Sequence, residues 1–324
     1  MAVTFSVVDG IEFARDASAI LEQAWEPPVL HYSPAYLSWQ LSFPSAVEMP
    51  AVAAFDGGDP IGFAAATARR LRHGSTNFDA AIVSFVAVRP AWRGQRVAAG
   101  LYRTLLEVLA DRAIPVVTYA LPESAGHRAL LRSYREAGFQ IQPMGPYTSY
   151  AFAGRQEEAG SQWTAHSPQD AGVLSSLAPE CCARVDRVLW SMPEKEQIAH
   201  YFTDPRPRKL IVVENVSTGD RGAGFGVYAE LRTLQGVTRV IMLDSLWMPN
   251  PDTGALVALL RLLSAAWPSS GASPVVMCPN LSGFEASALK AVRIRRTGAL
   301  LSGYFCFSGQ TRWPAFERTN LEVI

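Results

Sequence analysis

The chain has 324 residues, 49% apolar and 18% charged, which excludes a disordered chain and indicates packed globular domains. Lys plus Arg number 29 and Asp plus Glu 29, a formal net charge of zero, so no nucleic acid and no anionic membrane is expected as a partner. No apolar run reaches the roughly 18 residues of a membrane span, and Asp9 and Glu12 interrupt the N-terminal stretch where a signal peptide would be apolar, so a cytoplasmic protein is expected. Cys181, Cys182, Cys278 and Cys306 show no metal-ligand spacing; no metal is expected, and the four read as reduced, buried thiols.

In chain order, Phe5–Gly10 reads as a strand and Ile11–Trp25 as a helix. Residues 26–45 are proline-rich and aromatic and read as short helical turns. Ala51–Gly58 and Ile61–Arg72 read as strands joined by a Gly-Gly-Asp-Pro turn, and the apolar run Ala81–Val88 as a buried strand. A long helix follows. Val97, Leu101, Leu105 and Leu109 share one stripe, with Gly100, Arg103, Glu107 and Asp111 opposite. Ile114–Leu121 reads as a strand, Gly126–Phe139 as a helix, and Pro146–Phe152 closes the half. A polar connector at 154–170 separates domain 1–153 from domain 171–324. The second half repeats the order: a helical region at 171–189, strands at 209–216, 224–234 and 238–248, a helix at 254–267, a strand at 273–280, a helix at 285–294 and a last strand at 302–309. The expected fold class is α/β, two domains each with a mixed sheet flanked by helices.

The segment between strand 81–88 and the long helix carries the chemistry. Arg89, Arg93 and Arg96 crowd the helix start, and no carboxylate occurs between Asp79 and Glu107. Helix N-termini favour acidic side chains, so three cations there have the wrong sign unless an external anion sits on the free amides.

These residues resemble the GNAT superfamily of acyl-CoA-dependent N-acyltransferases. The strand ends in Val88-Arg89-Pro90, the family's V-x-P. The loop Arg93-Gly94-Gln95-Arg96-Val97-Ala98 follows the (R/Q)-x-x-G-x-(G/A) pattern except that Arg96 stands for Gly. Tyr134, Gly138 and Phe139 match the ending of a second motif, N-x-x-A-x-x-x-Y with G-F, whose N and A positions hold His127 and Leu130. The resemblance implies that the backbone of Val86, Ala87 and Val88 pairs with the pantetheine arm, and that the amides of Gly94, Gln95, Arg96, Val97, Ala98 and Ala99 hold the pyrophosphate beside Arg93. It also implies that His127 takes the place of a coenzyme contact and that Tyr134 protonates the departing thiolate. The plainer alternatives are an ordinary helix start at 93–99, a core aromatic at Tyr134 and a solvated His127.

The second half has Asp252 and Thr253 at the matching helix start, where Asp252 would repel a pyrophosphate. Aligning Gly298 with Gly138 sets Ile294 where Tyr134 stands. A degenerate GNAT-like copy is expected, one that stabilises the first, shapes the acceptor cleft or pairs two chains as a homodimer. His31, Tyr32, Tyr36 and Trp39 lie where family members build an acceptor wall; packing of a short helix explains them equally well. Ser84 and Glu123 are geometrically eligible as general base, and Asp79 reads as a turn residue. The expected reaction is N-acyl transfer, most simply acetyl, from an acyl-CoA co-substrate to a small-molecule or peptide amine by direct attack. The alternative is a non-catalytic acyl-CoA-binding module.

Overall fold

The computed structural model of the chain describes residues 3–152, 162–168, 172–174, 176–177, 188–191, 193–267, 276–279, 281, 283–298, 300–309, 313 and 318–320. Two mixed sheets with flanking helices make an α/β fold. The first sheet runs β1 (Thr4–Val8), β3 (Ala51–Asp56), β4 (Asp59–His73), β5 (Thr76–Val88), β6 (Val116–Ala120), β16 (Leu301–Phe307), β7 (Gln140–Tyr147). The second, read from its far edge, runs β9 (Trp163–His166), β11 (Arg208–Asn215), β12 (Arg221–Thr233), β13 (Gly236–Trp247), β14 (Val276–Pro279), β8 (Ser149–Phe152), β15 (Ile294–Arg296). The two orders correspond strand for strand, so the duplication seen in the order of elements is a duplication of topology.

The sixth strand of each sheet comes from the other half. Pro146–Phe152 is not one closing strand. β7 ends at Tyr147 in the first sheet, and β8 starts at Ser149 in the second, where Tyr150 pairs with Cys278. One intervening residue cannot make the two-residue turn that would fold β8 back along β7, so the chain runs on into the other sheet. Residues 302–309, expected to close the second half, instead supply β16 between β6 and β7. A smaller exchange repeats the theme: β2 (Val29–Leu30) pairs with β12, and β10 (Val188–Ser191) with β4.

Other departures from the sequence reading are local. Residues 163–166, inside the expected connector, form β9. The expected helical region 171–189 lies largely outside the described residues, and its end opens β10. Gly100 is not on a polar face: it is buried, and the Phe5 ring occupies the space a Cβ would take.

Helices α1 (Ala14–Ala24) and α2 (Pro34–Leu41) cover one face of the first sheet, placing Ile20, Leu21 and Leu37 against Phe63 and Phe85. On the other face lie α3 (Val97–Asp111) and α4 (Ala125–Glu136), whose Leu101, Leu105, Leu109, Leu130 and Tyr134 are buried. The second half has α5 (Lys195–Tyr201), α6 (Thr253–Ala265) and α7 (Ala286–Ala291), and α6 buries Leu256, Leu259, Leu260 and Leu263 against Ile211 and Ile241. The halves meet in a shared aromatic core: Tyr36, Trp39 and Phe43 from the first, Tyr201, Phe225 and Trp247 from the second. Trp39 Nε1 donates to the His200 carbonyl at 3.0 Å, and the two rings stack at 5.0 Å.

Candidate active site

β5 and β6 run parallel but pair only at Ala81–Val116 and Ile82–Val117. Beyond that they part. The cause lies in β5, which carries a bulge. Ser84 opposes Ala65 but Ala87 opposes Phe63, so β5 holds one extra residue, and Phe85 takes φ 58°. A bulge bends its strand and sharpens the twist. A bulky residue at positive φ is a genuine strain, about 1–2 kcal/mol. It leaves Ala87 and Val88 paired with β4 on one edge, and Val86, Ala87 and Val88 past the last pair with β6 on the other.

After a short 3₁₀ turn (Pro90–Trp92) the chain reaches α3. Gly94 has φ 80° and Arg96, the N-cap, φ 63°, without a side-chain cap. The first later amide with a bond is Gly100, to the Arg96 carbonyl at 3.1 Å. Among the described residues no acceptor meets the N–H groups of Gly94, Gln95, Arg96, Val97, Ala98 or Ala99. Left-handed residues interspersed in such a turn make a concave row of donors suited to an anion.

The three arginines divide. Arg93 turns back to α1, donating to the Ala24 carbonyl, with Glu26 at 3.9 Å, so it serves that helix's C-terminus rather than the turn. Arg89 is half-buried, with Nε unpartnered. Arg96 is exposed and lines a groove of about 270 Å³ between α3 and α4, with Arg103, Glu107, Ser133 and Glu136.

Tyr134 is fully buried on α4. Gly138 N–H bonds the Arg135 carbonyl and Phe139 N–H the Tyr134 carbonyl, both at 3.0 Å, with Gly138 at φ 84°. This is a Schellman cap, and the Tyr134–Phe139 ring contact at 5.6 Å is its apolar partner pair. Folding thus accounts for the ring, the glycine and the phenylalanine. It does not account for the hydroxyl, which is buried without a completed hydrogen bond. Burial pushes this phenol well above 10. The Cys306 thiol and Tyr102 act in the same direction, and the nearby Thr118 hydroxyl opposes them. Thr118 is the first residue of β6 past its last pair with β5, so the hydroxyl sits where the strands begin to part. His127 Nδ1 accepts the Glu123 N–H at 3.2 Å, which puts the ring proton on Nε2, 2.6 Å from the Tyr304 hydroxyl. Both ring nitrogens are therefore engaged.

Residues 14–139 match the acetyltransferase (GNAT) family model. They form a GNAT-family domain. Comparison with curated protein sequences gave no match. Among solved structures, Saccharomyces cerevisiae N-myristoyltransferase with bound myristoyl-CoA superposes with a TM-score of 0.69 at 12% identity, over 99% of this chain and 81% of that one. A GCN5-related N-acetyltransferase from Anabaena variabilis gives 0.56 at 13% identity, over 94% and 72%. A probable N-acyltransferase from Enterococcus faecalis gives 0.55 at 14%, over 93% and 72%. At these identities the likeness is one of fold.

The second half shares the fold of the GNAT domain but not its turn. Asp252 accepts the Ala255 N–H at 2.9 Å and so caps α6 from within. The expected equivalence of Ile294 with Tyr134 is corrected: Ile294 opens β15. Arg293, at φ 63°, matches Gly138 at φ 84°, and four residues earlier Leu289, buried, occupies the tyrosine's place. The apolar side chain leaves that position of the second half without a phenol.

Of the residues expected to wall an acceptor, Tyr32 has its ring 5.5 Å from Phe85 at the bulge and 5.8 Å from Tyr36. Trp39 is part of the aromatic core, and His31 Nδ1 faces Glu230 at 3.7 Å. Ser84 is half-buried on β5, Glu123 is exposed, and Asp79 is taken by Arg70 at 3.1 Å. Sequence reasoning missed a buried quartet in the second half. Asp204 accepts from Arg206 and Arg208, and Arg208 Nη1 also reaches Asp244 at 2.5 Å. The run Asp204-Pro205-Arg206-Pro207-Arg208 was its one visible sign.

Proposed function

We propose that the chain transfers an acyl group from acyl-CoA to an amine-bearing acceptor. One observation carries the reading: six consecutive amides without an acceptor, at a helix start beside a parting pair of parallel strands. A diphosphate supplies the acceptors these donors lack. The open edge of Val86, Ala87 and Val88 suits the amides of a pantetheine arm. The groove lined by Arg96 and Arg103 suits the phosphorylated nucleoside end.

In this reading the acceptor, as the free amine, attacks the thioester carbon through its nitrogen, the C–S bond breaks, and the nitrogen gives up its proton to water, which restores the proton that Tyr134 spends on the thiolate. Tyr134, held neutral by burial, donates its proton to the departing thiolate. The fold likeness to an enzyme holding myristoyl-CoA makes a long-chain donor a necessary arm of the test. Calorimetry with acetyl-CoA and myristoyl-CoA should show saturable binding of one of them. Ala98→Pro, which deletes one N–H within the first helical turn, should weaken it about tenfold, the worth of a bond to a charged group. Binding of neither donor overturns the proposal.

A further inference from the structure

β13 carries a bulge like that of β5. Phe225 opposes Ser245 and Gly226 opposes Leu243, so Asp244 is the extra residue. Its side chain is 1% exposed. Oδ2 accepts from Arg208, and Oδ1 has no partner. Two carboxylates and two guanidinium groups make the quartet neutral, so the orphan oxygen is not left over from an excess of charge. A buried, unsatisfied polar atom costs roughly 1–3 kcal/mol, and native proteins seldom keep one without cause.

Asp244 has company. The hydroxyls of Tyr36 and Tyr119 and of the adjacent Ser245 are also buried without a partner. A chain of packed side chains links the carboxylate to the opening between β5 and β6: Arg208, bonded to Asp244, shares Asp204 with Arg206, Arg206 lies 3.7 Å over the Tyr36 ring, and Tyr36 contacts Tyr32, which contacts Phe85.

A hydroxyl can donate or accept, but a carboxylate oxygen only accepts, so whatever completes this site must bring a donor. A primary ammonium brings three. We infer that Asp244, with the Tyr36 hydroxyl, binds the primary amine of the acceptor, so that the second half supplies the acceptor site for chemistry in the first. The inference rests on the acyl-transfer reading above.

The test uses the full chain, whichever of acetyl-CoA and myristoyl-CoA binds, and tyramine and glycinamide as probe amines, followed by thiol release. Asp244→Asn keeps an acceptor for Arg208 but loses the charge. Tyr36→Phe loses only a hydroxyl that the fold does not use. The expected result is a rise in probe-amine KM of about tenfold for D244N and severalfold for Y36F, with donor Kd unchanged and the Tm of Y36F not lowered. A purely structural role would lower Tm without separating KM from donor Kd. If D244N does not fold, Y36F decides alone. An unchanged KM in the folded variants overturns the inference, as does wild-type protein that binds donor but releases thiol with neither amine. Protein that binds no donor fails at the earlier reading, and the inference falls with it.

Discussion

Cys306 lies directly across from Val116 in the first sheet, so the last long strand of the chain completes the half that begins it. Without β16, β6 and β7 would face each other across a missing strand, and Phe305, fully buried, would leave a hole beside Val117 and Met144. Residues 1–153 expressed alone should therefore lack cooperative unfolding and expose apolar surface to a hydrophobic dye. Adding residues 162–324 in trans should restore a single transition. A cooperative, dye-silent fragment 1–153 would show that the exchange is dispensable.

Tyr134→Phe separates two roles of one side chain. The ring completes the helix cap with Phe139, and phenylalanine keeps that contact. The hydroxyl contributes nothing to folding that the structure shows, so Tm should stay level or rise slightly. Turnover should fall by about 10²-fold or more, as expected on losing a general acid, with donor affinity retained. Because burial raises this phenol above 10, it stays protonated throughout pH 6–9, and no loss of activity in that window should vanish with the substitution. Unchanged turnover would remove Tyr134 from the chemistry.

Arg96→Gly should stabilise the fold. The N-cap sits at φ 63°, where a side chain costs about 1 kcal/mol and glycine costs little, although glycine's looser unfolded chain offsets part of the gain. A Tm higher by a few degrees is expected. Donor affinity reports separately on the guanidinium, which faces the groove.

Acid should weaken the quartet through Asp204. Burial pushes the Asp204 carboxyl up, but its bonds to Arg206 and the charge of Arg208 outweigh this and hold it below the usual value. A carboxyl depressed in the folded state contributes fully above its unfolded value, near 3.9, and that contribution is lost as pH falls through the lower folded value. Asp204→Asn should flatten the pH dependence of stability below about pH 4. At neutral pH it should cost about 3–5 kcal/mol, because two buried guanidinium groups lose their shared partner. Urea unfolding at pH 7 and pH 3.5 measures both effects.

Much of the first half was legible in the sequence because its signals are local. The run Ala81–Val88, the stripe Val97-Leu101-Leu105-Leu109 and the Tyr134–Phe139 cap each declare themselves within about a dozen residues. The exchange of β8 and β16 is not local. Nothing in Pro146–Phe152 says which sheet will take its last four residues, except that Thr148 alone leaves no room for a hairpin. Arg93 was misleading for a similar reason: beside the turn in sequence, it bonds the end of a helix some seventy residues earlier. Asp244 stayed hidden because a single carboxylate in an apolar strand carries no period, and only the bulge across from Phe225 shows that it faces inward.

The donors at the start of α3 belong to the main chain, and no codon encodes them singly. Truncating any side chain from Gln95 to Ala99 leaves every N–H in place, so an alanine scan would pass over this turn in silence. For the same reason its residues are free to drift as long as the backbone keeps its path, and this is how an arginine can stand at a position shaped for glycine.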